Sequence, residues 1–279
     1  MAGLFILIAN FSIWLGGSIF NRDAFSNTAV TVIRTGPVRD AISAAIIEDV
    51  LKKVPTLKAA PDVRASVGSS LKGIVSGILA SNTARPVLEN LAAGVQKSFT
   101  AQQPTAVKFD LRSTVRQLQP FVATINREFD VHISTSELPK TIVVVKKGEL
   151  PSIYGWGVPL LWFGPLLGVF GLALIIGAVW FAGSARALVL RVNGVVLTIF
   201  ALVFLALVRF AASPLSAMVQ TENARVITLK LFDAFSAQLT AQTWILVGTG
   251  ALLAAAGFLL PRLAGAPPAE EAKSEQRAA

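Results

Sequence analysis

Four long runs of apolar residues, set between more polar stretches, constrain this chain more than any other feature. A backbone inside hydrocarbon must satisfy its own hydrogen bonds, and a helix does so within a single segment. About 20 apolar residues rising 1.5 Å each cross roughly 30 Å of lipid tail. The first run is Leu4 to Phe20, with Asn10 and Ser12 as its main polar members. The second is Gly157 to Ala182, which includes Pro159 and Pro165. The third runs from Val192 to Ala212 and is expected to be closed by Pro214; the fourth runs from Thr243 to Leu260 and is expected to end at Pro261-Arg262. A cleaved signal peptide competes for the first run. It would need a basic leading region and a small-x-small cleavage site near Ser18, and neither is present, so a retained anchor is expected.

Composition points the same way. The chain is 53% hydrophobic and only 15% charged, against about 25% charged in an ordinary soluble domain. A shortfall of that size calls for a second, apolar solvent. There is no cysteine, which removes disulfides, thiolate nucleophiles and cysteine-bound zinc. His132 is the only histidine, which removes His-rich metal sites and most Ser–His dyads.

The net charge of +9 is spread out. Residues 21–155 carry 17 Lys/Arg and 11 Asp/Glu, and the rest of the chain carries 8 and 5. The basic residues form no dense run and almost no aromatics are interleaved with them. A nucleic-acid groove concentrates its charge and adds stacking rings, so no nucleic-acid partner is expected. Weak attraction to anionic headgroups or acidic wall polymers fits better.

An even number of spans puts both termini on one side. The turn between spans two and three carries Arg186 and Arg191, and Arg262 follows span four. Basic residues near short loops favour the cytoplasm, so both termini are expected there and residues 21–155 outside. Tyr154, Trp156, Trp180 and Trp244 lie near span ends, as interfacial aromatics do.

Residues 21–155 read as a mostly helical domain. Phe25, Ala29, Val32 and Ile33 make a short apolar stripe that stops at Thr35-Gly36-Pro37. Ile42, Ile46, Ile47, Val50, Leu51 and Val54 mark an amphipathic helix that Pro55 stops. The next helix opens at Pro61, and its Gly68, Gly73 and Gly77 would admit a close neighbour. Ser81 or Thr83 is placed to cap a further helix with the stripe Leu88, Leu91, Val95 and Phe99. Val107, Phe109 and Leu111 then alternate with polar residues, a strand signal, and Thr141 to Val145 is a β-branched partner for them. Between them Val115, Leu118, Val122, Ile125 and Phe129 keep a helical spacing. Residues 213–242 read as an outer amphipathic helix with ion pairs Glu222–Arg225 and Lys230–Asp233. Residues 262–279 are a Pro/Ala-rich, mixed-charge tail expected to be disordered.

The expected fold is therefore a mainly α membrane protein. It has spans at 1–20, 156–183, 192–212 and 243–261, a cytoplasmic turn at 184–191, and an extracytoplasmic helical domain with a two-stranded β-ribbon.

Candidate chemistry is thin. Asp130 and His132 would face the same way on a strand, with Glu128 nearby, yet they read as a polar edge because acid–base work needs a third group and a cleft. Asp40, Glu48 and Asp49 lack the dense ligand spacing and glycine of a calcium loop and are mixed with lysines, as on a solvated helix face. Ser69-Ser70 and Ser134–Ser136 have no partner base. No catalytic, cofactor or metal site is expected. Spans one, two and four hold no ionisable side chain in their central portions, and Arg209 lies near one end of span three, where it can snorkel. This disfavours a secondary transporter, since ion and proton pathways leave charged residues behind.

Small residues point to helix packing instead. Gly164 and Gly168 form a GxxxG pattern that Ala173 and Gly177 continue, and Gly250 with Ala254 repeats it in span four. Such spacing lets backbones approach, either within the four-helix bundle or against a partner or second copy.

The order of these features resembles a group of uncharacterised four-pass membrane proteins common in actinobacteria, with a long extracytoplasmic helical domain between the first and second spans. The resemblance is carried by NRDAFSNTAVTVIRTGPVRDAISAAIIEDVL (21–51), FDLRSTVRQLQPF (109–121) and VVVKKGELPSIYGWGVPLL (143–161), together with the short arginine turn. It covers nearly the whole chain and its motifs are structural. Gly36 stands where the group more usually has an acidic or small polar residue before the proline. The resemblance implies the outward placement of 21–155 and no catalytic residues.

These readings lead to a non-enzymatic accessory or scaffold subunit of a cell-envelope membrane complex, with membrane lipids and a membrane-protein partner or second copy around it. An extracytoplasmic receptor for a lipid or small ligand and a channel or translocator component are the alternatives.

Overall fold

The computed structural model describes residues 1–53, 61–103, 106–110, 123, 127, 141–145, 152–217 and 222–263. Over these the protein is mainly helical. In chain order the helices are α1 (Ala2–Trp14), continued by a π-helical segment (Leu15–Phe20), α2 (Arg22–Ile33), α3 (Gly36–Lys53), α4 (Pro61–Ala80), α5 (Arg85–Thr100), α6 (Tyr154–Phe181), α7 (Arg186–Ala217) and α8 (Glu222–Leu263). Four helical stretches are long and apolar enough to cross a membrane: Ala2–Phe20, Tyr154–Phe181, Gly183–Pro214 and Arg225–Pro261. That is compatible with a multi-pass membrane protein.

The chain divides into two compact units. The first comprises Met1–Trp14, Pro159–Phe210 and Ala237–Ala279. Here α1 is the hub. Gly164, Gly168 and Gly171 of α6 lie against Ser12, Ala9 and Ala2 of α1. Another part of α1 meets α7, through Gly3 beside Leu197 and through Phe11 edge-on to Phe204 at 6.0 Å. Asn10 Nδ2 donates to Thr243 Oγ1 of α8 at 3.3 Å, and Thr243 in turn donates to the Leu239 carbonyl at 2.7 Å. Ser12 Oγ donates to the Leu160 carbonyl of α6 at 2.5 Å. The two polar members of the first apolar run are thus the residues that bond it to its neighbours. Interhelical bonds of this kind average about 0.6 kcal/mol in a membrane. Asn10→Leu should accordingly lower stability in detergent only slightly, by about 0.6 kcal/mol in a denaturation series; a loss several times larger would mean that Thr243 is left with an unmet demand.

The second unit comprises Leu15–Val158 and Ala211–Ser236. Asn21 caps α2, its Oδ1 accepting from the Asp23 and Ala24 amides at 3.0 Å. The apolar stripe on α2 then packs on α5, where Phe25, Ala29 and Ala92 form a core flanked by Ile19, Val95, Leu231 and Phe235. The Phe25 and Phe235 rings stack at 4.8 Å between centroids. Helix α3 packs on α4, burying Val38, Ala41, Ile46 and Ile47 on one side and Val75 and Leu79 on the other. Arg34 ends α2 and closes α4: its Nη2 donates to the Ala80 carbonyl at 2.8 Å and to Asn82 Oδ1 at 2.9 Å. The end of α5 is tied to the start of α6 by Ile153 N to the Phe99 carbonyl at 2.9 Å and Ser152 Oγ to the Ala101 carbonyl at 2.7 Å.

The third apolar stretch ends at Pro214 as expected, while the helix itself runs on to Ala217. The fourth ends at Pro261, and its helix continues only to Leu263. Each proline removes the amide that would bond the carbonyl four residues back, at Phe210 and Gly257, and the Gly257 carbonyl accepts from Arg191 Nη2 at 3.3 Å instead. Other expected boundaries move. The outer amphipathic helix and the fourth span form one helix of 42 residues, because no glycine or proline interrupts the chain from Glu222 until Gly248. The turn after α6 is also shorter than 184–191. Gly183 takes a positive φ of 52°, which reverses the chain sharply, and helix resumes at Arg186 with Arg191 already inside it.

Side-chain details shift as well. Ser81 does not cap the following helix; its Oγ donates back to the Ile78 carbonyl at 2.7 Å, closing α4 instead. Gly73 and Gly77 face open space rather than a close neighbour. Lys230 reaches Asp233 at 4.0 Å, whereas Glu222 and Arg225 form no ion pair among the described residues. The expected helix over 115–129 lies outside the described residues except for Ala123 and Arg127, which are helical, and the expected tail lies wholly outside them.

Candidate functional site

The arrangement with the clearest design is a pair of helix seams in the first unit. On α6, Gly164 and Gly168 are four apart, so their backbones share a face. A side chain at Gly164 would collide with Ser12, and one at Gly168 would place its Cβ 2.6 Å from the Ala9 Cβ. Gly171 extends the seam by one turn, where a Cβ would lie 3.0 Å from the Ala2 carbonyl. The spacing also predicted Ala173 and Gly177 as a continuation. Ala173 is exposed, and Gly177 has nothing within 4 Å. These two lie off the seam because steps of 4 and 3 hold one face, whereas Ala173 is five beyond Gly168. Gly177→Leu should therefore leave the melting temperature of the detergent-solubilised protein almost unchanged, within about 0.5 kcal/mol. A drop matching that of a Gly168 substitution would contradict this placement.

The second seam joins α7 and α8. Gly250 lies against Gly194 and Thr198, and Gly194 lies against the Ala254 backbone. Gly257 lies against Ala187 and Arg191, with a Cβ there only 2.6 Å from the Arg191 amide nitrogen. The pattern identified Gly250 and Ala254 but not Gly194, Gly257 or Gly171. Gly257 follows Gly250 by seven, which keeps the face and was a readable signal. Gly194 stands alone on α7 and has no such signal.

Arg191 sits at the end of the second seam. Its guanidinium lies over the Phe258 ring at 3.7 Å, and Nη2 donates to the Gly257 carbonyl at 3.3 Å. The cation and the ring attract through the ring's quadrupole.

The candidate chemical groups are placed as follows. Asp40 accepts from Ser76 Oγ at 3.2 Å and lies 3.9 Å from Arg39 Nε, so its carboxylate works as a surface link between α3 and α4. Glu48 is exposed but engaged, as is Ser69. The side chain of Asp49, and Glu128, Asp130, His132 and Ser134–Ser136 altogether, lie outside the described residues. Among the described residues no three His, Asp or Glu side chains cluster as a metal site. The buried polar side chains among them are Ser12, Ser18, Ser26, Ser43, Gln96, Ser98 and Thr243, all neutral. Of these, Ser12, Ser26 and Gln96 donate to carbonyls of other elements, while Ser43 and Thr243 donate to carbonyls of their own helices.

No protein-family model, curated protein or solved structure matches this chain.

Proposed function

We propose that the chain is a non-enzymatic multi-pass membrane protein of a bacterial cell envelope that serves as an accessory or scaffold subunit of a membrane complex. The observation that carries this reading is how the helices divide their surfaces. Their inner faces meet through small residues and neutral hydrogen bonds, while their outer faces are large and apolar. Trp162 is 75% exposed, Leu252 73% and Leu207 62%. An apolar surface of that extent is unstable in water and suits lipid tails or another membrane helix. A retained first span is supported by the seam on α6, since removing α1 would leave Gly164, Gly168 and Gly171 beside an empty groove.

On this reading both termini are cytoplasmic and residues 21–155 are extracytoplasmic, as Arg186 and Arg191 at the start of α7 and Arg262 at the end of α8 favour. The outer domain includes an antiparallel ribbon of Val107–Asp110 with Thr141–Val145; the pairing of Asp110 with Thr141 and Val107 with Val145 supports it. Purification from native membranes in a mild detergent tests the scaffold role. A reproducible partner in stoichiometric amount, or a second copy, is expected. A strictly lone monomer at native expression would overturn it.

A further inference from the structure

Among the described residues, no carboxylate pairs with the arginines at the end where α7 starts and α8 finishes. No Asp or Glu occurs between Glu149 and Glu222, or between Asp233 and Glu270, so α7 carries Arg186, Arg191 and Arg209 without an acid of its own. Arg186 opens α7, is exposed, and has no partner among the described residues. Arg191 lies five residues on. Among the described residues its Nε is shielded without an acceptor, and its one side-chain hydrogen bond, at 3.3 Å to the Gly257 carbonyl, is long. The Phe258 ring holds the plane of the guanidinium in place, which leaves the Nη1 hydrogens and one Nη2 hydrogen uncommitted. A planar fork of this kind suits a phosphate oxygen pair. Exposed Trp180 and Phe181 end α6 just before the turn, as residues at a headgroup boundary do.

We infer that Arg191, its guanidinium fixed by Phe258, and Arg186, on another face of the same helix end, each bind the phosphate of an anionic phospholipid headgroup. The inference rests on the membrane reading above and goes beyond it by assigning a ligand class and residues. The lipid supplies a negative charge that the described residues do not set beside these arginines, and each arginine near a membrane surface contributes about a fivefold gain in affinity.

The test uses the full chain in nanodiscs of phosphatidylcholine with increasing phosphatidylglycerol, read by melting temperature and by native mass spectrometry of retained lipid. Wild type should melt higher as phosphatidylglycerol rises and should retain it, with the preference weakening in high salt. R186Q and R191Q should each weaken retention about fivefold, while R191K should keep part of it and R209Q all of it. R186Q guards against misfolding, because that exposed side chain makes no hydrogen bond or ion pair among the described residues. Four outcomes would overturn the site: equal behaviour in both lipids, an equal loss in R209Q, an equal shift from inorganic phosphate alone, or a preference that emerges only after E270Q, E271Q and E275Q, which would make the tail the natural occupant. Solubility without detergent would instead sink the membrane reading itself, so the two failures are distinguishable.

Discussion

Replacing Gly250 with leucine is expected to separate α7 from α8 and to cost more than about 3 kcal/mol, at or beyond the upper end of ordinary overpacking. The reason is the kind of atom in the way. A Cβ at Gly250 would lie 2.5 Å from Thr198 Oγ1 and 2.9 Å from both the Gly194 carbonyl oxygen and the Thr198 amide nitrogen. A flexible side chain could swing aside, but two of these three atoms are backbone. Thr198 Oγ1 is itself held by its bond to the Gly194 carbonyl at 2.9 Å. The helices must therefore move apart, losing van der Waals contact along the whole seam to Gly257. Cysteine cross-linking between the two helices, together with melting in detergent, would register the separation. Gly250→Ala should show a smaller effect in the same direction. If Gly250→Leu melts like wild type while Gly177→Leu does too, the seam does not hold the bundle.

Gln96→Leu is expected to have a comparable effect in the other unit. The Gln96 side chain is buried, and its Nε2 donates to the Ile19 and Phe20 carbonyls, each at 3.0 Å. Those carbonyls end the π-helical segment Leu15–Phe20, where they have no continuing helix to bond them. One amide thus satisfies two orphan acceptors and ties the first span's end to α5. Leucine has similar bulk and no donor, so both carbonyls would be left without a partner, at about 1–3 kcal/mol each. Hydrogen exchange should rise over residues 15–25, and the unit should unfold at lower denaturant. Gln96→Glu is the sharper control. It keeps the shape but replaces the donor with an acceptor, and should be at least as damaging. Unchanged exchange in both variants would mean that water replaces the amide readily and that the contact is incidental.

The positions of the helices were legible, and the reasons are local. The Thr35-Gly36-Pro37 break falls where α2 gives way to α3, because proline belongs in a helix's first turn and glycine at a helix end. The apolar runs coincide with the four helices able to cross a membrane, because length and hydropathy belong to a segment by itself. The prolines mark where the apolar stretches end, while the helices outlast them by two or three residues because a proline removes only one backbone bond of the ladder. The candidate site was half legible. Spacing alone singled out Gly164, Gly168 and Gly250, and the structure brings all three against a neighbouring helix. Gly177 has the same chemistry and faces nothing, while Gly194 and Gln96 carry no pattern and bind tightly.

What the sequence by itself determined is which segments are helical and which are oily enough for lipid, since both follow from side chains one to four residues apart and their preferred solvent. Only the tertiary structure decided that α1 is the hub of its unit, that α7 and α8 meet glycine to glycine, and that Arg191 lies across Phe258. Those facts depend on shape complementarity between surfaces far apart in the chain, and a close approach is a property of two backbones at once. A glycine announces that it leaves room. It does not announce what fills it.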